Sequence, residues 1–146
     1  MPTVTPFLWF DASLDEPIEY YHSIFRDMRV HSLTPVTASF EIEGQRFLAL
    51  KGGPKFAFNE AVSFFIECED QEEVDYYWDR LTADGGVESM CGWLKDRYGL
   101  SWQVIPKALM RYLAGPDRSM AERVTQAMLQ MRKIDVAALD RAAEQP

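Results

Sequence analysis

The chain is poor in the residues that bind metals and form cross-links. It has two cysteines, Cys68 and Cys91, and two histidines, His22 and His31. Two cysteines make no disulfide framework, and they form no C-x-x-C pair, so a reduced, cytoplasmic protein is expected. Both read as small buried hydrophobes. The histidines fall in different predicted elements without ligand spacing, and no metal is expected. Long apolar runs are also missing. Nothing approaches the roughly 18 residues that cross a bilayer, so no membrane partner is expected. Met1 to Phe10 lacks the basic start and small-residue cleavage site of a secretory signal. Positive charge is scarce too: 15 Lys and Arg against 23 Asp and Glu give a net charge of −8. Without a basic face the chain offers nothing to a phosphate backbone, and nucleic acid is excluded as a partner.

Two further absences bear on catalysis. The first apolar run, Pro6 to Phe10, leads into Asp11-Ala-Ser-Leu-Asp15 and not into a glycine-rich loop. Nucleotide cofactors need such a loop, so no cofactor is expected. Gly52-Gly53-Pro54 reads as a sharp bend; Lys51, Lys55 and Lys95 are candidates to meet an anionic ligand, with solvated surface the favoured reading. No serine or cysteine stands beside a base in a pattern that marks a nucleophile, and the catalytic residues stay unassigned.

What is present is a core and a repeat. The sequence is 47% hydrophobic and 13% aromatic over 146 residues, enough for one packed domain. Glu16-Pro-Ile-Glu-Tyr-Tyr-His-Ser-Ile-Phe25 matches Glu72-Glu-Val-Asp-Tyr-Tyr-Trp-Asp-Arg-Leu81. Each copy follows a short aromatic run that reads as a strand, Pro6–Phe10 and Ser63–Ile66. Each precedes a hairpin: Glu43-Gly44-Gln45 joins 38–42 to 47–50, and Asp96-Arg-Tyr-Gly99 joins 92–94 to 100–105. The chain therefore divides into a first module, 3–55, a second, 58–106, and a helical tail, 107–146.

Both repeat helices have predicted starts. Asp70-x-x-Glu73 has capping-box spacing, and Asp15 is placed as the cap of the first, with Pro17 in its first turn. Ile18, Tyr21 and Phe25 form one apolar face, and Val74, Tyr77, Trp78 and Leu81 the other. The tail reads as helices over 108–113, 119–131 and 136–143. Ser119-x-x-Glu122 is the predicted cap of its second helix, and Arg132 and Lys133 are placed at that helix's end. Its stripe of Val124, Ala127, Met128 and Met131 must bury on its own chain or on a partner. In the last strand of the second module, Trp102 and Val104 share one face, with Ser101, Gln103 and Ile105 on the other.

A duplicated strand-helix-three-strand unit resembles the vicinal oxygen chelate superfamily of glyoxalases, bleomycin-resistance proteins and dioxygenases. Phe7-Leu-Trp-Phe-Asp11, Phe47-Leu-Ala-Leu-Lys-Gly-Gly-Pro54, Phe58-Asn-Glu-Ala61, Cys91-Gly-Trp-Leu-Lys-Asp96 and Gly99-Leu-Ser-Trp-Gln103 resemble its PhnB-like group, as does Gln126 to Asp135. That group often carries the label 3-demethylubiquinone-9 3-methyltransferase. The stretch Thr34 to Thr37 is shorter than its counterpart in relatives. The resemblance implies an α+β fold of two tandem βαβββ modules with cupped antiparallel sheets around a cavity. The superfamily's metal-ligand positions fall near Thr5, Leu48, Ser63 and Gln103, and one amide cannot hold a divalent metal.

The expected function is metal-free binding of a small molecule in the sheet cavity, aromatic compounds being one candidate class. Strand parity makes Trp9, Phe65, Ser101 and Gln103 the lining, with Trp93 and Asn59 at the rim. Two alternatives stand beside it. One is an enzyme on a quinone-like substrate, with Cys91 or Glu67 as the acid–base group. The other is a structural or regulatory dimer with a filled pocket. A homodimer is expected because each module is too small to bury both sheet faces.

Overall fold

A computed structural model describes residues 1–145. Two units follow one another along the chain, 1–58 and 59 onward. The first runs β1 (Phe7–Phe10), α1 (Asp15–Ile24), β2 (Met28–Leu33), β3 (Thr37–Ile42) and β4 (Gln45–Lys51). The second repeats this order as β5 (Ser63–Cys68), α2 (Gln71–Thr82), β6 (Val87–Glu88), β7 (Trp93–Lys95) and β8 (Ser101–Pro106). The sheets have equivalent orders, β1-β4-β3-β2 and β5-β8-β7-β6. Each is a mixed sheet. Three strands are antiparallel, as expected, but β1 lies parallel to β4 and β5 parallel to β8. The helix carries the chain away from the first strand, and the three-strand meander returns beside it in the same direction.

The helices bury the faces their periodicity marks. Ile18, Tyr21 and Phe25 are buried in the first unit, as are Val74, Tyr77, Trp78 and Leu81 in the second. Alternation in β8 puts Trp102 and Val104, both buried, on the helix side. Asp70 caps α2, accepting the Glu73 N–H at 3.0 Å, while the Glu73 carboxylate takes the Glu69 N–H at 2.9 Å. The start of α1 differs from expectation. Leu14 holds the cap position without a side-chain bond, and Asp15 is already helical. The Asp15 carboxylate instead accepts from Ser13 Oγ at 2.5 Å.

The first hairpin is a two-residue turn in which Ile42 pairs with Gln45. Glu43 and Gly44 have φ of 48° and 85°, the primed turn that suits strand twist. The second connection is wider than the sequence suggested. Lys95 pairs with Ser101, leaving residues 96–100 as the loop. Between β2 and β3 the shortened stretch closes on itself, with the Thr34 N–H bonded to the Thr37 carbonyl at 2.8 Å.

The tail forms α3 (Lys107–Ala114), α4 (Arg118–Met128) and α5 (Val136–Glu144). Two expectations are corrected. Asp117, not Ser119, caps α4, accepting the Met120 N–H at 3.0 Å. The helix also ends before Arg132 and Lys133, so neither meets its dipole; Lys133 pairs with Asp75 of α2 at 2.9 Å. The α4 stripe buries within its own chain. Val124 packs with Ile105, Leu109, Ile134, Leu139 and Ala143, and Met128 and Met131 lie against this cluster.

Candidate functional site

The face of the second sheet turned away from α2 carries most of the expected site. Register aligns its residues in rows. Phe65, Gln103 and Trp93 face one another across β5, β8 and β7. Ser63, Ser101 and Lys95 form the next row. Ile105 continues this face along β8, and the tail helices cover it there. The opposite end remains open as a cavity of about 390 Å³, lined by Glu60, Val87, Glu88, Trp93, Lys95 and Ser101, among others.

Polar contacts on this face are few. Gln103 Nε2 donates to Ser63 Oγ at 2.9 Å, so the mid-strand amide is satisfied by the neighbouring strand. Lys95 Nζ lies 2.7 Å from Glu60 Oε2. The hydrogen bond from Lys95 holds the Glu60 carboxyl below its usual range. Glu88 also borders the cavity, but its row, with Leu94 and Trp102, is on the helix side, where its carboxylate accepts the Trp78 indole N–H at 2.6 Å. Ser101 is only 1% exposed, and its hydroxyl has no partner.

The 96–100 loop fixes the ends of β7 and β8, and with them Lys95 and Ser101. Asp96 is buried at its start. Its Oδ1 accepts the N–H groups of Tyr98 and Leu100 at 2.9 and 3.1 Å, and Oδ2 the Trp102 indole N–H at 2.9 Å. One carboxylate thus organises the loop and ties it to the helix side of the sheet.

The other expected residues have the following surroundings. Trp9 is in the first unit, where its indole N–H donates to the Gly53 carbonyl at 2.9 Å and its ring meets Phe56 edge-on. A Cβ on Gly52 would fall 2.2 Å from the same ring, so Gly52-Gly53 seats Trp9 and is no phosphate cradle. Asn59 is exposed, and its side-chain oxygen accepts the Ala61 N–H at 2.9 Å, holding a turn. Glu67 is exposed on β5, on the same face as Ser63 and Phe65 and opposite Ile105. Cys91 is half-buried, with its N–H on the Met131 carbonyl at 2.8 Å. Cys68 is fully buried, and burial, with Glu73 and Asp70 nearby, pushes its thiol up to about 12. His22 is exposed on α1, and His31 pairs with Glu41 at 3.2 Å.

Glu60 was not expected in the site, Ser63 was expected only as a position near the superfamily's metal ligands, and Lys95 chiefly as solvated surface. Their signal was register, since Ser63, Ser101 and Lys95 share a row only once the pairing is known. The positions near which the resemblance implies metal ligands in this unit, Ser63 and Gln103, are a hydroxyl and an amide bonded to each other. Such a neutral pair does not fit a divalent cation. Among the described residues no three His, Cys, Asp or Glu side chains gather as a metal site.

A sequence model of the family described as 3-demethylubiquinone-9 3-methyltransferase matches residues 2–105. The chain belongs to this family. The family match ends at β8, leaving the tail outside it. Among solved structures, the chain resembles a putative 3-demethylubiquinone-9 3-methyltransferase, the PhnB protein of Bacillus cereus. They are 27% identical, with a TM-score of 0.66, over 72% of this chain and 99% of that one. The fold of the family is shared more widely. The fosfomycin resistance protein FosX of Listeria monocytogenes, solved with Mn(II) and sulfate, is 14% identical. Its TM-score is 0.53, over 70% of this chain and 87% of that one. A glyoxalase-related enzyme of Fulvimarina pelagi is 13% identical, with a TM-score of 0.52, over 73% and 88%. These place the 3-demethylubiquinone-9 3-methyltransferase family member in the vicinal oxygen chelate superfamily, with a PhnB-like character. No curated protein matches the chain.

Proposed function

We propose that this protein binds a small molecule on the open face of its second sheet, through side chains alone and without a metal. The observation that carries this reading is the Ser101 hydroxyl, buried at the cavity and unpartnered. A buried polar group without a hydrogen bond costs about 1–3 kcal/mol, and a ligand that supplies the bond removes that cost. Trp93 and Phe65 give flat apolar area beside it, and the cavity volume suits a small ligand. The hydroxyl and amide at the metal positions support the metal-free part.

The test is an NMR screen of small aromatic compounds against the full chain. Shifts clustered at Trp93, Ser101 and Gln103 are expected, and binding confined to other residues would overturn the reading. Metal analysis of the purified protein is expected to find no stoichiometric ion; one per chain would remove the metal-free part.

The family's description favours a second reading, methyl transfer to a quinone-like substrate. Calorimetric titration with S-adenosylmethionine separates the two. No binding is expected, and tight binding would put the second reading first. We also infer a cytoplasmic homodimer. Exposed Phe7, Leu33 and Val36 in the first unit support association. Sedimentation at the 16.8 kDa of one chain would rule the dimer out.

A further inference from the structure

The hydrogen-bonding groups around the cavity are unequal in what they have left to give. Gln103 spends an N–H on Ser63, whose oxygen is thereby the acceptor. The Ser63 proton and the Ser101 hydroxyl remain as donors beside the Lys95 ammonium. Both carboxylates at the cavity are engaged, Glu88 by the Trp78 indole and Glu60 by Lys95. The engagements differ in kind. Glu88 is held by a bond across to α2. Glu60 lies outside the strands, with its side chain 68% exposed. An exposed ion pair contributes little to stability and gives way readily.

Resting on the small-molecule reading above, we propose that the ligand is a planar carboxylate, whose oxyanion replaces Glu60 on Lys95 and accepts the Ser101 hydroxyl. Glu60 then holds the ligand's place when the site is free, and swings into water when it is taken. Trp93 stands in the row next to Lys95 and Ser101, and offers its face to the ring that carries the carboxylate. Donors on one row and an aromatic surface on the next match an aryl carboxylate in both chemistry and size.

The probe is benzoate, with benzamide as its neutral counterpart, titrated on the full chain. The Trp93 indole resonance is the readout, assigned with Trp93→Phe. Benzoate is expected to bind about tenfold more tightly than benzamide, the work of one charge-assisted contact. Lys95→Met should erase that preference, and Ser101→Ala should weaken benzoate severalfold. Glu60→Gln is the discriminating variant, because removing the competitor should tighten benzoate binding. Lys95 and Glu60 are solvent-facing, so these variants test binding without disturbing the core. Equal affinity for benzoate and benzamide would overturn the carboxylate proposal and leave the small-molecule reading standing. Weaker benzoate binding in Glu60→Gln would overturn the displacement. Silence of the Trp93 resonance to both compounds would count against the proposal and its parent reading together.

Discussion

Asp96 receives three hydrogen bonds with both oxygens while only 2% exposed. Replacing it with alanine strands two backbone N–H groups and the Trp102 indole. Asp96→Ala is expected to cost about 3 kcal/mol in urea unfolding. Asp96→Asn should recover only part, because its amide nitrogen cannot accept. Nothing in the sequence around Asp96 distinguishes it from an ordinary turn aspartate, since burial is set by the strands it joins. Cys68 was easier to read. Its surroundings keep the thiol protonated at neutral pH. Alkylation at pH 8, followed by mass spectrometry, should leave Cys68 unmodified in the native protein and modify it in urea.

Glycines separate the elements whose geometry is local from those held by neighbours. Gly44 and Gly92 have nearly the same φ, 85° and 83°. A Cβ at Gly44 would meet nothing, so Gly44→Ala should cost about 1–2 kcal/mol, from backbone strain alone. At Gly92 it would stand 2.7 Å from Ile105 Cδ1 and 3.0 Å from the Val104 carbonyl. Gly92→Ala is expected to be clearly the more damaging of the two by thermal melting. Capping shows a similar division. Asp70 was legible because one good cap precedes one apolar stripe. At α4, Asp117 and Ser119 are both residue types that cap well, and residue type alone does not choose between them. Chain geometry favours Asp117, and Ser119 Oγ instead accepts from Arg123 at 3.0 Å. At α1 the capping residue is Leu14, which no propensity would select; it is 1% exposed, so packing decides.

At the scale of the whole chain, the duplication was visible because helix faces and turn glycines repeat with their spacing. The parallel closure of each sheet was not, because a strand's direction relative to a distant strand leaves no periodic trace. The same limit hid the row that joins Ser63, Ser101 and Lys95. The tail is joined to the second module by polar contacts as well as by its core. Gln71 Nε2 donates to the Ile134 carbonyl at 3.0 Å, and its oxygen accepts the Val136 N–H at 2.7 Å. Lys133 and Gln71 both hydrogen-bond Asp75, which lowers its carboxyl from the ordinary value. A depressed carboxyl stabilises the fold above its unfolded value of about 3.9, and that stabilisation fades as pH falls through the folded value. Denaturation followed across pH 2 to 6 should therefore lose a small acid-sensitive component in Asp75→Asn. An unchanged pH profile would show the contact to be idle.

Gly92 stands at a junction with a consequence for the site. Its N–H reaches the Arg132 carbonyl and its own carbonyl receives the Val104 N–H, both at 2.8 Å. The residue just before Trp93 is thus clamped between β8 and the segment after α4. In this chain the helical extension acts as a splint: it supplies none of the cavity's lining residues, yet it steadies the approach to Trp93. If the proposed ligand binds there, mutations in the extension are expected to alter its residence time without changing any residue it meets.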